Sequence, residues 1–229
     1  VMVHCAPELV DLLSTARGVQ RVTGWDQPPP QTDLELSMLS LPNRFATTLE
    51  SIPAEVPYLA SDPARTERLR SVLLDSAHKR VGIVWAGNPN HPNDRARSCP
   101  IESLGSLSQI EGVAFFSLQK GEPADRDRAA MQQLGWSDVG AHIRDFADTA
   151  AAMSLLDLII TVDTAAAHLA GALARPVWLL LSRVAEWRWM NARTDSPWYP
   201  TMRVMRQPSA GDWTEIIRRV RGELLASEK

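Results

Sequence analysis

Three residues whose side chains can do chemistry lie together where an apolar segment gives way to a run of small residues. Asp163, Thr164 and His168 fall within ITVDTAAAHLAGALARPVWLLL, residues 160–181, which predicts a buried strand, a short helix and a second buried strand. If Thr164 caps that helix, its hydroxyl satisfies an early N–H group, and His168 lies one turn further along the same face. Two interpretations follow: a helix cap alone, or a cap beneath a ligand that carries phosphates.

The first turn of this predicted helix favours the phosphate interpretation. It consists of three alanines that begin at Ala165, so little side-chain bulk separates the backbone amides from a ligand. A helix N-terminus attracts anions through its free N–H groups and its dipole. Asp163 argues against phosphate, because a carboxylate repels it. Asp163 is better suited to accept a hydrogen bond from a sugar or ribose hydroxyl, or to fix the conformation of the loop.

Polar residues also follow two other predicted strands. The loop in VGIVWAGNPNHPNDRARSCP contains Gly87, three asparagines, Arg95 and Arg97. Glycine and asparagine allow tight turns, and the arginines can clamp phosphate oxygens, although an exposed, solvated loop explains the composition equally well. The segment FFSLQKG ends with Gln119 and Lys120. Gln119 can bond a base edge and Lys120 a negative charge, or the pair can form an ordinary surface turn.

The elements that must position these residues alternate regularly after residue 76. Apolar strands are predicted at 80–85, 113–118, 142–143, 158–162, 177–181 and 203–205, and helices at 101–110, 125–134, 149–155, 165–173 and 212–225. This alternation predicts a doubly wound parallel sheet with helices on both faces, an α/β Rossmann-like fold. Ligands bind such sheets beyond the carboxyl ends of the strands, near the point where strand order reverses. The polar residues above follow strand ends.

The first 76 residues predict an incomplete second α/β half. VMVHCAPELVDLL predicts a strand followed by a helix, and a short strand around residues 19–23 precedes a proline-rich connector. DPARTERLRSVLLD predicts a helix over residues 62–75 with Asp62 as its cap and Pro63 at its first position. Because no initiator Met precedes the opening strand, we expect a fragment of a longer protein.

The composition is that of an ordinary globular protein and argues against several classes. The 229 residues are 45% hydrophobic and carry a formal net charge of -3, which argues against nucleic acid as the main partner. Two cysteines suggest a reducing compartment, and neither a membrane-length apolar run nor a signal peptide occurs. We therefore expect a cytoplasmic protein. No zinc pattern or catalytic triad is found.

The combined motifs resemble the carboxy-terminal half of bacterial glycosyltransferases that often follow tetratricopeptide repeats and are related to the lipopolysaccharide heptosyltransferases. The resemblance is carried by RVGIVWAGNPNHPNDRARS, SLQKG, DFADTAA, LDLIITVDTAAAHLAGAL, WRW, DSPWYP, and RQP with GDW. It is close over 77–229 and looser over 1–76. It implies a GT-B architecture in which 77–229 form the nucleotide-sugar-binding Rossmann-like domain, and 1–76 are the remnant of the acceptor-side half and a linker.

The resemblance also implies a set of donor-binding residues. They are Asn88, Arg95 and Arg97 in the loop after the first strand, Gln119 and Lys120 after the second, and Asp163, Thr164, Ala165 and His168 in a D-T-x-x-x-H motif. Heptosyltransferases have glycine where Ala165 stands, so the approach of the backbone to the donor differs. Their acidic general base belongs to a glycine-rich loop near the start of the fold, so we expect it outside this chain or in its first residues and assign no catalytic residue.

These inferences predict a glycosyltransferase that moves a sugar, with inversion, from a nucleotide-diphosphate donor to an unidentified acceptor, a protein, peptide or glycan. Helix amides, a hydroxyl, an imidazole and arginines would stabilise the leaving diphosphate without a metal or other cofactor, and we expect no Asp-x-Asp pair of the kind that metal-dependent transferases use. The alternatives are a non-catalytic nucleotide-binding module and a sugar-nucleotide epimerase, whose carboxylate pair is not seen. The aromatics of SRVAEWRWMNARTDSPWYP predict an interface or a sugar platform, and an exposed interface would allow self-association.

Overall fold

The computed structural model describes residues 1–73 and 78–226, and in these residues the strands form two parallel sheets. The small sheet pairs β1 (Met2–Cys5) with β2 (Arg21–Gly24). The large sheet contains β3 (Lys79–Val84), β4 (Val113–Ser117), β5 (Ser137–Asp138), β6 (Leu158–Val162), β7 (Val177–Leu181) and β8 (Met202–Arg206). Its order is β5-β4-β3-β6-β7-β8 with every pairing parallel. The predicted doubly wound Rossmann-like fold is confirmed.

Helices connect the strands and cover both faces of the large sheet. They are α1 (Val10–Leu13), α2 (Leu41–Arg44), α3 (Pro63–Arg70), α4 (Asp94–Arg97), α5 (Glu122–Arg126), α6 (Arg128–Gln133), α7 (Phe146–Ser154), α8 (Ala165–Ala172) and α9 (Trp213–Ala226). Short 3-10 helices occupy Pro7–Leu9, Met38–Ser40, Ser71–Leu73, Ile101–Gln109, Gly140–His142 and Trp187–Trp189. None of the helices in the described residues combines the length and the apolar character needed to span a bilayer.

The two faces of the large sheet bury two separate apolar clusters. Side chains alternate between the faces along each strand, so Ile159 packs toward α7 and α8 while Ile160 packs toward α9 and the 3-10 helix Ile101–Gln109. All five residues of β6 are buried. The sheet therefore holds β6, and the residues that follow it, in a fixed place.

The predicted strands at 158–162 and 177–181 are confirmed at both ends, whereas the predicted strand at 142–143 is wrong. Residues 140–142 instead form a 3-10 turn after the two-residue β5. The Asp138 carboxylate accepts a hydrogen bond from the N–H of Ala141 at 3.1 Å and ends the strand. Gly140 then passes beneath the Gln119 carbonyl, where a Cβ would lie only 2.1 Å from the oxygen.

Three predicted helices also differ from the structure. The segment predicted at 101–110 is a 3-10 helix, because its buried residues Ile101, Leu104 and Leu107 recur every three positions and so share one face of a three-residue turn. The helix predicted at 125–134 breaks into α5 and α6 at Asp127. The helix predicted from residue 149 begins at Phe146, because Asp145 caps it by accepting from the N–H of Asp148 at 2.8 Å.

The first 73 residues pack against the large sheet's helical layer. Asp62 caps α3 by accepting from the N–H of Arg65 at 2.8 Å, as predicted, with Pro63 at the first helical position. Leu12 and Leu59 join the apolar cluster around α7. The predicted continuation of α3 to residue 75 reaches beyond the described residues, and the predicted domain boundary between 76 and 77 also lies outside them.

Candidate functional site

The residues singled out from the sequence meet at the carboxyl edge of the large sheet, where the strand order reverses. β3 pairs with β4 on one side and with β6 on the other. The connections leaving β3 and β6 therefore run in opposite directions across the sheet and leave a crevice between them. The loop after β3 lies on one side of this crevice, and the N-terminus of α8 lies on the other.

The start of α8 is a capped helix N-terminus with small side chains. Thr164 has an extended backbone, and its hydroxyl oxygen accepts from the N–H of Ala166 at 3.3 Å. The hydroxyls of Thr161 and Thr164 also lie 3.3 Å apart, which anchors the cap to the end of β6. Ala165 is exposed, so the first turn presents its backbone to solvent. Capping, the simpler interpretation, is therefore confirmed for Thr164, and the arrangement leaves room for an anion.

His168 is held on α8 by two aromatic side chains from the loops after β7. Its ring stacks on Trp189 with centroids 4.9 Å apart and an angle of 25° between the planes. Its Nδ1 lies 3.1 Å from the Tyr199 hydroxyl. Burial lowers the pKa of His168, Asp163 raises it, and Arg188 lowers it further, so the net shift is downward. The imidazole is thus neutral at pH 7 and fixed in orientation.

Arg97 joins the two sides of the crevice. Its Nη1 donates to the carbonyl of Asp163 at 3.1 Å, and its Nε lies 3.4 Å from the Asp94 carboxylate. The guanidinium packs against Gly87, where a Cβ would meet Nη2 at 2.4 Å and Cζ at 2.7 Å. Glycine at position 87 is therefore required for this contact. Arg97 places its charge beside the strand-to-helix junction, and phosphate binding by this arginine stays a prediction.

Gln119 is buried and fully hydrogen-bonded, which is not the environment expected of a residue that contacts a base edge. It is 4% exposed, and its Oε1 accepts from the N–H groups of Trp85 and Ala86 at 3.1 and 2.9 Å. Its Nε2 donates to the carbonyls of Ala86 and Lys120 at 3.1 and 3.3 Å. These bonds use both ends of the amide. Gln119 holds the start of the loop after β3, and any effect on a ligand is exerted through that loop.

The other residues predicted to bind the sugar donor lie near the crevice, and their side chains differ in how far they are engaged by neighbouring groups. Asn88 is exposed, and its Oδ1 accepts from the N–H of Asn90 at 3.0 Å in a local turn. Lys120 donates from Nζ to the carbonyl of Ile143 and so leans toward the end of β5. Within the described ranges Arg95 is exposed and forms no hydrogen bond or ion pair. Arg95 is therefore the cation of this loop that is free to meet a ligand.

A cleft of about 680 Å³ opens beside the loop after β3. Arg95 and Arg126 bring positive charge to its lining, and Asp94, Glu102 and Asp127 bring negative charge. The lining does not include Asp163, Thr164 or His168, so this cleft adjoins the crevice and is distinct from the helix N-terminus.

An Asp-x-Asp spacing does occur in the chain, at Asp125 and Asp127. Asp127 is buried, and its carboxylate accepts from the indole N–H of Trp85 at 2.7 Å and from Arg126 at 2.7 Å. Burial opposes its ionisation, but these hydrogen bonds outweigh burial and lower its pKa. Asp125 pairs with Arg128 at 2.6 Å. Both carboxylates therefore serve ion pairs and loop packing here.

The structure adds residues that the sequence did not assign to the site. Tyr199 and Trp189 fix His168, and Gly171 allows the Tyr199 ring to approach α8, because a Cβ there would lie 2.3 Å from the ring. The signal available in the sequence was the joint occurrence of the WRW and SPWYP segments with the D-T-x-x-x-H motif. Their residues come together only because the segment between β7 and β8 packs against α8.

The strand order, with a helix N-terminus at the switch point, defines a Rossmann-like domain of the kind found in GT-B proteins. No protein-family model matches the chain. Among known structures, the fold is similar to E. coli ADP-heptose lipopolysaccharide heptosyltransferase II, with a TM-score of 0.51 and 17% identity over 100% of this chain and 77% of that one. It is also similar to the glycosyl transferase family 9 protein of Veillonella parvula, with a TM-score of 0.58 and 12% identity over 93% of this chain and 69% of that one.

Protein FlbA of Caulobacter vibrioides is a relative by sequence. It is 27% identical over 179 residues, which are 76% of this chain and 30% of FlbA. The chain thus spans about a third of the length of this curated relative. The likeness to the two solved structures, at 17% and 12% identity, shows the fold.

Proposed function

We propose that this chain is the donor-binding part of a glycosyltransferase and that the N-terminus of α8 holds the diphosphate of a nucleotide-diphosphate sugar. The observation that carries the proposal is the meeting of three anion-binding features at the switch point: the exposed first turn of α8, the Arg97 guanidinium at the same junction, and Arg95 nearby on the same loop. One solved structure with this fold is named for ADP-heptose, which is such a donor.

Each residue at the junction has a chemical task in this proposal. The amides of α8 and the arginines neutralise charge that grows on the leaving diphosphate as the glycosidic bond breaks. Neutral His168 donates a hydrogen bond to a phosphate oxygen without adding a charge that must be desolvated. The Asp163 carboxylate, which makes no hydrogen bond with the described residues, accepts from a hydroxyl of the ribose or the sugar.

The finer features of the activity are also proposals. We propose transfer with inversion, without a metal, to a protein, peptide or glycan acceptor, with the general base outside this chain. A position behind tetratricopeptide repeats, a cytoplasmic location and self-association through exposed aromatics belong to the same proposal. A nucleotide-binding module without catalysis is the alternative, and transfer assays on a longer protein with a panel of donors distinguish the two.

The test uses a carboxylate placed at the predicted phosphate site. Ala165→Asp puts a negative charge in the first turn of α8, where it favours the helix by about 0.3–1 kcal/mol but repels a bound diphosphate. Two charges 4 Å apart repel by about 1 kcal/mol in bulk water and about 4 kcal/mol at an effective dielectric constant of 20. We expect calorimetric titration with UDP, GDP and ADP to show one nucleotide whose affinity falls at least tenfold, about 1.4 kcal/mol.

Two matched variants make this result specific. Ala165→Asn introduces a side chain of nearly the same size as aspartate but without its charge, and this variant should retain most of the affinity for the nucleotide. Ala64→Asp adds the same charge to the first turn of α3 and should leave nucleotide binding unchanged. If the protein binds none of the three nucleotides, or if Ala165→Asp binds as well as the parent, α8 is not the phosphate site.

A further inference from the structure

We propose that Tyr199 is a positioning residue that fixes the tautomer of His168. In this arrangement the Tyr199 hydroxyl donates its proton to Nδ1, so the His168 proton resides on Nε2 and that nitrogen becomes a hydrogen-bond donor. The presentation of Nε2–H to an anionic ligand rests on the proposed function. The tautomer itself does not.

The contact between the two side chains is built into the packing. The Tyr199 oxygen lies 3.1 Å from Nδ1, and the two rings meet edge to face with centroids 5.8 Å apart. Tyr199 is 8% exposed, and its ring rests directly against the backbone of Gly171 on α8. Because Gly171 and His168 belong to the same helix, the hydroxyl and the imidazole keep their relative positions.

The proposed direction of the hydrogen bond requires that Tyr199 keep its proton, and its surroundings favour this. Burial raises its pKa, and the neighbouring Tyr58 hydroxyl raises it further, so the phenol keeps its proton throughout the accessible pH range. A buried O–H must find an acceptor, and Nδ1 lies within hydrogen-bond distance at 3.1 Å, while the Tyr58 hydroxyl, which also interacts with the phenol, is the competing acceptor. Tyr58 is exposed and can exchange its own hydrogen bonds with water.

The imidazole is kept neutral and in one plane by its other neighbours. Stacking on buried Trp189 prevents the ring from rotating. Burial is the largest influence on its pKa and lowers it, the charges of Asp163 and Glu186 oppose this, and Arg188 adds to it. A neutral ring carries one proton. Because Nδ1 accepts the hydrogen bond from the Tyr199 hydroxyl, that proton resides on Nε2.

The geometry of a helix directs this proton toward the candidate phosphate site. Side chains on an α-helix lean toward its N-terminus, so His168 covers the turn that begins at Thr164. Nε2 lies on the opposite side of the imidazole from Nδ1 and so points away from Tyr199. An oxyanion above the first turn of α8 would therefore meet a neutral N–H donor.

The decisive measurement is the two-bond proton–nitrogen NMR correlation of histidine rings in the protein labelled with nitrogen-15. The spectrum of His168→Gln identifies the His168 signals among those of the five histidines. We expect the Nε2–H pattern for His168 at pH 7. Tyr199→Phe should produce a mixture of both tautomers and a higher His168 pKa, because the hydrogen bond that favours the neutral ring is lost.

Tyr58→Phe is the matched control and should leave the His168 pattern unchanged. An Nδ1–H pattern in the parent protein would overturn the proposal, whether or not Tyr199→Phe folds. An unchanged pattern in folded Tyr199→Phe would also overturn it.

Nucleotide titration separates this proposal from the function on which it draws. We expect Tyr199→Phe to weaken the binding of the responsive nucleotide threefold to tenfold and Tyr58→Phe to leave it unchanged. If no nucleotide binds the parent protein, the proposed function fails while the NMR result still decides the tautomer.

Discussion

Replacement of Asp148 by asparagine is expected to destabilise the protein by about 3 kcal/mol, because this carboxylate is the centre of a buried ionic network. Its side chain is 0% exposed, and it pairs with Arg65 at 2.8 Å, Arg68 at 2.6 Å and Arg144 at 3.0 Å. It also accepts from the backbone N–H of Arg144 at 3.0 Å. Two of these arginines lie on α3, so the network fastens α3 to α7.

The magnitude follows from the exposure of the partners. Removal of one member of a buried ion pair costs about 3–5 kcal/mol, because the remaining charge is left without compensation. Here the side chains of Arg65, Arg68 and Arg144 are 20%, 39% and 68% exposed, so water can partly solvate them again. The lower end of the range therefore applies. For a chain of this size, about 3 kcal/mol lowers Tm by about 6–12 °C.

The pH dependence gives an independent check on the same residue. Burial opposes ionisation of Asp148, but the hydrogen bonds from Arg144, Arg68 and Arg65 outweigh it and hold its pKa far below the usual range. A carboxylate with a depressed pKa stabilises the folded state above its unfolded pKa of about 4. That contribution is lost as pH falls from about 4 toward the folded pKa. The difference between the parent and Asp148→Asn should therefore be constant from pH 5 to 7 and shrink below pH 4.

Thermal unfolding at several pH values, followed by circular dichroism, measures both effects. Asp195→Asn is the control, because Asp195 pairs with Arg193 at an exposed position and should not change Tm measurably. A Tm for Asp148→Asn within 2 °C of the parent at pH 7, or a difference that does not shrink below pH 4, would refute the reasoning.

Three further substitutions probe contacts around the crevice, and a fourth, Gly222→Ala on α9, serves as a control. Gly87→Ala should displace the Arg97 guanidinium and weaken nucleotide binding about tenfold in calorimetry, with Tm nearly unchanged because only the end of a flexible side chain must move. Gln119→Leu should leave two buried N–H groups unpaired and lower the free energy of unfolding in urea by about 2–4 kcal/mol. Gly171→Ala should destabilise by about 1–3 kcal/mol through overpacking against a buried tyrosine, whereas Gly222→Ala, which meets no atom within 4 Å, should stabilise α9 by about 0.5–1 kcal/mol. Equal effects of Gly171→Ala and Gly222→Ala on stability would contradict the contact of Gly171 with Tyr199. An unchanged free energy of unfolding for Gln119→Leu, or unchanged nucleotide binding by Gly87→Ala, would contradict the contacts of Gln119 and Arg97.

The long buried strands were predictable because burial on both faces leaves a continuous apolar run. The five residues of β6 and the five of β7 are hydrophobic apart from one threonine, and polar or small residues follow at once. The segment at Ile101–Gln109 was not predictable in its helix type, since an apolar spacing of three fits both kinds of helix. The two-residue β5 depends on tertiary packing and leaves almost no pattern in the sequence.

The candidate site was predictable where chemistry and local structure coincide. Thr164 is both the obvious cap and the observed one, and His168 follows it by one turn in either description. The contact of His168 with Tyr199 joins residues 31 positions apart with β7 between them, so no local pattern reports it. Gln119 shows the same limit, because its polarity suggested a ligand and only its burial reveals a structural role.

The way the loop after β3 is held has a consequence for how this protein can be changed. Gln119 grips the loop at its start and Arg97 at its end, and neither anchor belongs to the exposed stretch between them. The residues from Asn88 to Pro92 are exposed and bond mainly within their own turns, whereas the Asn93 carbonyl accepts from the N–H groups of Ala96 and Arg97 and so belongs to the second anchor. We therefore expect that the stretch from Asn88 to Pro92 can be varied or lengthened in a library with the fold retained, and that new ligand preferences can be selected from it.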